Sequence, residues 1–239
     1  MPSNEIAEGE KKSVDLPAFK RIPRHVAFIP DGNRRWAECR GLRKEDGYAA
    51  GLAPGFQLCE LCIELGIEES TIFGFTCDNT KRPSAQTRAF KQACVEFAIG
   101  LREMDVSLLV VGNELSPHFP LELKQFTTRQ VKNISSLKVN FLVNYDWKWD
   151  LTQSISLANE NVNSKSDQMT LLSGIGSSEI SRIDLVVRWG GRSRLSGMLP
   201  IQTVYSDIFV IEELWPDFIP NNLTDALHWY DAQDVTLGG

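Results

Sequence analysis

Three short stretches combine arginine with small residues and with carboxylate or amide side chains: Pro30-Asp-Gly-Asn-Arg-Arg-Trp36, Thr76-Cys-Asp-Asn-Thr-Lys-Arg-Pro83 and Arg188-Trp-Gly-Gly-Arg-Ser-Arg-Leu-Ser196. All are rich in residue types that bind diphosphate. In the first, Gly32 lets backbone approach an anion, the amides that open a helix near Arg34 point outward, and a helix dipole favours negative charge there. Arg34, Arg35 and Arg40 can add charge-assisted, bidentate contacts, whereas Asp31 would repel a phosphate unless a cation lay between them. A magnesium ion resolves that conflict. The third stretch sets Arg188, Arg192 and Arg194 around Gly190-Gly191, with Ser196 able to hydrogen-bond an oxygen. Three guanidiniums this close repel one another unless they share an anion, although solvent screens that repulsion on an open loop. Taken singly, the first stretch also fits an Asp-Gly-Asn turn followed by a solvated helix. Together, the first and third stretches point to two phosphorylated ligands, as a condensing enzyme requires.

The elements that must position these residues alternate. His25–Ile29 is a short apolar run before Pro30, and a helix is expected to begin at about Arg34. A second helix is expected over Ala50–Leu65, a buried strand over Glu69–Phe75 and a longer helix over Ala85–Arg102. Further strands are expected over Val106–Val111, Val139–Asn144 and Ile183–Val187. Strands separated by helices predict an α/β fold, with a central, mostly parallel sheet flanked by helices and a ligand crevice at the carboxyl ends of the strands. The polar segment Asn159–Ser178 reads as a helix end and a mobile loop. No internal repeat is evident.

The chain has 239 residues, 42% of them hydrophobic, enough to bury one substantial core. Residues 1–20 read as a disordered tail and 21–239 as one catalytic domain. The net charge of -6 offers no general field for nucleic acid, so an anionic partner must meet a local cluster of cations. No run approaches the ~18 apolar residues of a membrane span, and a cytoplasmic location is the default. Five cysteines in a chain of this size predict reduced thiols. Cys59 and Cys62 have C-x-x-C spacing but no second pair to complete a metal site, and they fall on the apolar face of a helix. No G-x-x-x-x-G-K-[ST] element is present, which argues against a P-loop hydrolase.

The run His25-Val-Ala-Phe-Ile-Pro-Asp-Gly-Asn-Arg-Arg-Trp-Ala37 resembles the signature loop of the cis-prenyltransferase (undecaprenyl diphosphate synthase) family. Phe75 to Pro83, Asp184 to Ser196 and Leu214-Trp-Pro-Asp-Phe218 resemble its other motifs, in the same order. The resemblance implies that Asp31 is the catalytic aspartate and a magnesium ligand. It places Gly32, Asn33, Arg34, Arg35 and Trp36 around an allylic diphosphate, with Lys44 and Tyr48 where the family has an Arg and a His. Thr76, Asp78, Asn79 and Arg82 fall on the second motif, where the Asn is a proton-accepting or orienting group. Arg188, Arg194 and Ser196 match the residues that hold the second diphosphate. Asp207 falls where the family has a magnesium-binding Glu, often supplied by the partner of a dimer. A homodimer is expected, both by resemblance and from the apolar residues of Tyr205 to Leu214.

The departures have a direction. The family's Glu after Gly-Gly is Arg192, its Trp after Asn79 is Thr80, its Gly-Gly-Arg after Asn-Tyr is Asp146-Trp147-Lys148, and its Leu-Trp is Pro200-Ile201. These changes resemble the lavandulyl-type branch, whose members join allylic diphosphates head to middle. A regular head-to-tail synthase using isopentenyl diphosphate, or a noncatalytic accessory subunit, would share most of these motifs, although accessory subunits tend to lose the catalytic Asp.

Overall fold

The computed structural model describes residues 19–133, 136–160 and 172–234. Six strands form one sheet: β1 (His25–Ile29), β2 (Glu69–Phe73), β3 (Val106–Val111), β4 (Leu137–Leu142), β5 (Leu185–Arg188) and β6 (Asp207–Val210), in the spatial order β3-β4-β2-β1-β5-β6. Every pairing is parallel, so the sheet is all-parallel where a mostly parallel one was expected. Strands β1, β2, β3 and β5 are buried along their whole length, as a sheet with helices on both faces demands.

Successive residues of a strand point to opposite faces, and two cores result. Val26 and Phe28 join Leu58, Cys62, Phe97, Phe141 and Trp189 on one face, while Ala27 and Ile29 join Leu109, Tyr145, Val186 and Met198 on the other. The α-helices lying wholly within the described residues are α1 (Asn33–Cys39), α2 (Asp46–Ala50), α3 (Leu52–Glu64), α4 (Ser84–Leu101), α5 (Trp147–Glu160) and α6 (Pro220–Asp231). Cys59 and Cys62 lie buried and unbonded on α3, and burial pushes the Cys59 thiol up to about 12.

Several boundaries differ from expectation for identifiable reasons. The helix expected over Ala50–Leu65 is α3, which starts two residues later, and a short helix that was not expected, α2, precedes it across Gly51. A Cβ on Gly51 would lie 2.7 Å from Asn33 Oδ1 and 2.9 Å from the Trp215 ring, so this junction presses on the site. β2 stops at Phe73, and Gly74 passes so close to Phe141 that a Cβ would meet its ring at 2.6 Å. β4 begins two residues earlier than expected and ends before Asn144, which has a left-handed φ of 55°. Helix α6, after Phe218, was not among the expected elements. Its signals are Pro220 at the first helical position and Leu223, Ala226, Leu227 and Tyr230 at helical spacing. The tail boundary also moves, because the Phe19 ring packs 4.8 Å from His228 and Lys20 N donates to Asp231; residues 1–18 lie outside the described residues. Of the segment read as a mobile loop, 161–171 lie outside the described residues. Gly176 and Ser177, by contrast, are anchored: Ser177 N donates to Asp150 Oδ1 at 2.7 Å.

The winding places the site. From β1 the chain moves outward through β2 to one edge, then returns to β5 on the other side of β1. β1 and β5 therefore flank the point where the winding reverses, and a ligand crevice is expected outside their carboxyl ends. Asp31 follows one of these strands and Arg188 ends the other.

Candidate active site

A cleft of about 490 Å³ opens at the carboxyl ends of β1, β2 and β5. Seven cationic side chains line it (Arg34, Arg35, Lys44, Arg82, Arg188, Arg192 and Arg194) against three carboxylates (Asp31, Glu38 and Asp78), so its natural guests are anions. Among the described residues, no carboxylate lies within ion-pair distance of Arg34, Arg192 or Arg194. Polyanionic ligands would satisfy all three.

Asp31 sits between the two halves of the cleft. Its Oδ2 accepts from Arg188 Nη2 at 2.8 Å, and Oδ1 lies 3.6 Å from Arg35 Nη2, too far for a hydrogen bond. Register produces the first contact: Ile29 pairs with Arg188 across the parallel strands, which brings the loop after β1 to the end of β5. Arg188 also donates from Nη1 to Ser196 Oγ at 2.8 Å and to the carbonyl of Arg194, while its buried Nε has no partner among the described residues. Ser196 has φ 54°, and the turn around it is held by Gly190, Gly191 and Gly197, all with positive φ. That backbone curls the Arg192–Ser196 segment around the Arg188 side chain.

The second motif forms a one-turn 3-10 helix, Cys77–Lys81, after β2. Asn79 Oδ1 accepts from Thr76 N at 3.0 Å, so its carbonyl is occupied and its amide NH2 is left as a donor. This suits an orienting role better than proton acceptance. Arg82 Nη1 donates to Tyr48 Oη at 3.0 Å, and the Tyr48 ring stacks on Phe90 with centroids 4.5 Å apart. Lys44 pairs with Glu38 at 2.9 Å. A hydrogen bond from Lys81 holds the Asp78 carboxyl below its usual range.

The family model described as "Putative undecaprenyl diphosphate synthase" matches residues 29–238. The chain belongs to this family of cis-prenyltransferases. A ditrans,polycis-undecaprenyl-diphosphate synthase ((2E,6E)-farnesyl-diphosphate specific) from Pectobacterium atrosepticum is 29% identical, covering 100% of this chain and 96% of its own. Its counterpart from Yersinia pseudotuberculosis is 31% identical, covering 92% of this chain and 91% of its own. Lavandulyl diphosphate synthase from Lavandula x intermedia, solved in complex with dimethylallyl diphosphate, has the same fold: the TM-score is 0.81 over 91% of this chain and 99% of that one, at 22% identity.

In this cis-prenyltransferase, most residues expected at the site line the cleft: Asp31, Gly32, Asn33, Arg34, Arg35, Lys44, Tyr48, Thr76, Asp78, Asn79, Arg82, Arg188, Arg192, Arg194 and Ser196. Three expected residues do not. Trp36 and Arg40 turn away, and each donates to Asp217 Oδ1 at 2.8 Å. Asp207 begins β6, opposite Leu185 and three residues before the level of Arg188. At about 3.3 Å per residue it lies near the amino end of the sheet, where it borders Arg21, Arg24 and Asp184, so one chain does not bring it to Asp31. Glu38, Phe73, Gly74 and Phe90 line the cleft without having been expected there. Phe90 carried no signal beyond an apolar helix position.

An apolar extension leads inward from Pro30, Asn33 and Tyr48, between the sheet and helices α3 and α4. It holds about 60 Å³, roughly an eighth of the polar cleft, and Phe97 and Phe141 narrow it with rings 5.2 Å apart, edge to face. The residues present fit a magnesium ion. Asp31 Oδ1 is a hard oxygen with no hydrogen bond among the described residues, beside a cluster of cations, and magnesium commonly takes one or two carboxylates with the rest of its shell from phosphate and water.

Proposed function

We propose that this chain condenses two small isoprenoid diphosphates, a short allylic donor and dimethylallyl diphosphate as acceptor, by magnesium-dependent head-to-middle addition. The observation that carries this reading is the wall of the second diphosphate site. Arg192 lines the cleft beside Arg188 and Arg194, where the family resemblance implies a carboxylate, and the Trp147 indole, in the adjoining pocket that shares Ser196 with the cleft, lies against Gly197, where a Cβ would meet it at 2.9 Å. An extra cation on this wall, with a bulky ring packed behind its glycine turn, turns the acceptor, so that a different carbon faces the donor. The small apolar extension supports a donor of five or ten carbons.

The donor diphosphate lies against Gly32 to Arg35, Lys44 and Arg82, and the acceptor diphosphate against Arg188, Arg192, Arg194 and Ser196. Asp31 Oδ1 would hold magnesium together with phosphate oxygens, and the ion would draw charge from the leaving diphosphate. The donor's C1–O bond breaks, Arg34 and Arg35 stabilise the departing diphosphate, and an allylic cation remains. The acceptor's double bond supplies the electron pair for the new C–C bond. A proton then leaves the acceptor carbon skeleton, with the released diphosphate as the base, because Asn79 has its oxygen engaged. The narrow apolar extension limits water at the cation.

Asp207 joins a metal site only when a second chain supplies it, in a homodimer with the exposed side chains of Val204, Tyr205 and Ile208 at the contact. Asp207→Ala should then raise the magnesium concentration needed for half-maximal rate, and an unchanged titration removes it from the metal shell.

The regiochemical test is an incubation with magnesium and dimethylallyl diphosphate, with and without geranyl diphosphate, followed by dephosphorylation and mass spectrometry of the alcohols. Branched lavandulyl-type alcohols support the reading. Linear cis products that form only with isopentenyl diphosphate overturn it in favour of head-to-tail elongation, the activity for which the Pectobacterium and Yersinia relatives are named.

A further inference from the structure

The motif Leu214-Trp-Pro-Asp-Phe218 places no side chain on the polar cleft. It grips the start of the catalytic loop instead. Leu214 packs so tightly on Gly32 that a Cβ there would lie 2.8 Å from Leu214 Cδ2. Trp215 N donates to the carbonyl of Asp31 at 3.0 Å, and its indole Nε1 donates to the Gly51 carbonyl, also at 3.0 Å. One turn further along α1, Asp217 Oδ1 receives both Trp36 Nε1 and Arg40 Nη2, and the Arg40 guanidinium lies 4.3 Å over the Trp36 ring.

Helix α1 depends on such outside support. It has seven residues, starts from a left-handed Gly32 at φ 116°, and has neither a side-chain N-cap nor an acidic residue in its first turn. A helix this short is not stable alone, so tertiary contacts decide which way its faces point. Arg35 turns toward the cleft and donates to the Gly190 carbonyl at 3.0 Å, while the neighbouring Trp36 and, one turn on, Arg40 turn to Asp217. Rotation about the helix axis therefore couples the two faces.

We propose that Asp217 is a positioning residue for prenyl transfer: through Trp36 and Arg40 it sets the rotation of α1 at which Asp31 and Arg35 meet the donor diphosphate. The Arg40–Asp217 pair is partly exposed, 44% and 40% by side chain, so it adds little to global stability. Its effect falls on geometry, where a misplacement of about 1 Å costs ~10²-fold in rate.

The test compares the wild type with Asp217→Ala, Asp217→Asn, Trp36→Phe and the Trp36→Phe/Asp217→Ala double variant. Each is assayed with magnesium, geranyl diphosphate and whichever five-carbon diphosphate the wild type turns over, so the outcome does not depend on the regiochemistry. Asp217→Ala should lower kcat by about tenfold or more, exceeding its effect on either KM, with a melting temperature close to wild type. Asp217→Asn keeps an oxygen acceptor for both donors and should recover most of the rate. The double variant should be no slower than Asp217→Ala, because both changes cut the same linkage. A wild-type kcat in Asp217→Ala, a loss of rate that tracks a loss of melting temperature in both position-217 variants, or strictly additive effects of Trp36→Phe and Asp217→Ala would overturn the proposal.

Discussion

Arg188 holds the Asp31 carboxylate from the neighbouring strand end, Nη2 to Oδ2 at 2.8 Å, with only 4% of the Arg188 side chain exposed. The same guanidinium reaches Ser196 Oγ and the Arg194 carbonyl, so one nearly buried cation links Asp31 to the turn proposed to hold the acceptor diphosphate. A side chain fixed this way loses little freedom when ligands arrive, and Asp31 is aimed before they do.

Asp31→Asn keeps the shape and an acceptor for Arg188 but removes the charge proposed to hold magnesium. Turnover should fall by about 10³-fold, while circular dichroism and melting stay near wild type. Steady-state rates at saturating magnesium check this.

Arg192→Glu replaces a cation of the proposed acceptor wall with an anion. The KM for the acceptor diphosphate should rise by about tenfold or more while that for the donor changes little, corresponding to ~1.4 kcal/mol of lost acceptor binding. Equal effects on both substrates would mean that Arg192 does not distinguish the two sites.

Phe141→Ala removes the ring that narrows the apolar extension against Phe97. Farnesyl diphosphate should become a usable donor, at a stability cost of about 3–5 kcal/mol for a buried phenyl group. Competition between geranyl and farnesyl diphosphates reads the first effect, and chemical denaturation reads the second.

Stability should fall as pH drops below about 6.5. His25 is buried between Thr71 Oγ1, 2.8 Å from Nε2, and Ser181, whose carbonyl accepts from Nδ1 at 3.1 Å. Burial pushes its pKa below the ordinary imidazole value. The unfolded chain then binds a proton at a higher pH than the folded one, so stability is full above the unfolded pKa and declines as pH falls toward the folded one. Thermal melts from pH 7.5 to 5 should show this slope for the wild type and a flatter one for His25→Gln.

Much of the site was legible because its residues cluster in short segments. Asp31 to Arg35, Thr76 to Arg82 and Arg188 to Ser196 each carry types and spacings that local chemistry explains, and each follows a segment whose pattern predicts a buried strand. What the sequence by itself determined was the α/β class, the strand ends as the place of binding and the excess of cations there. The tertiary structure decided which strands are neighbours, and so whether Asp31 meets Arg188 or Asp207. Register set this: Ile29 lies level with Arg188, whereas Asp207 lies level with Leu185 at the other end of the same strand. It also decided where Trp36 points, because an indole one position past Arg35 turns roughly 100° around the helix, toward an aspartate 181 residues away in sequence. Element boundaries at Gly51 and Gly74 were likewise invisible, since each depends on a ring from a distant segment lying where a Cβ would stand. Spacing along a chain carries periodicity and local chemistry, but contacts between remote segments arise only when strand order and register bring them together.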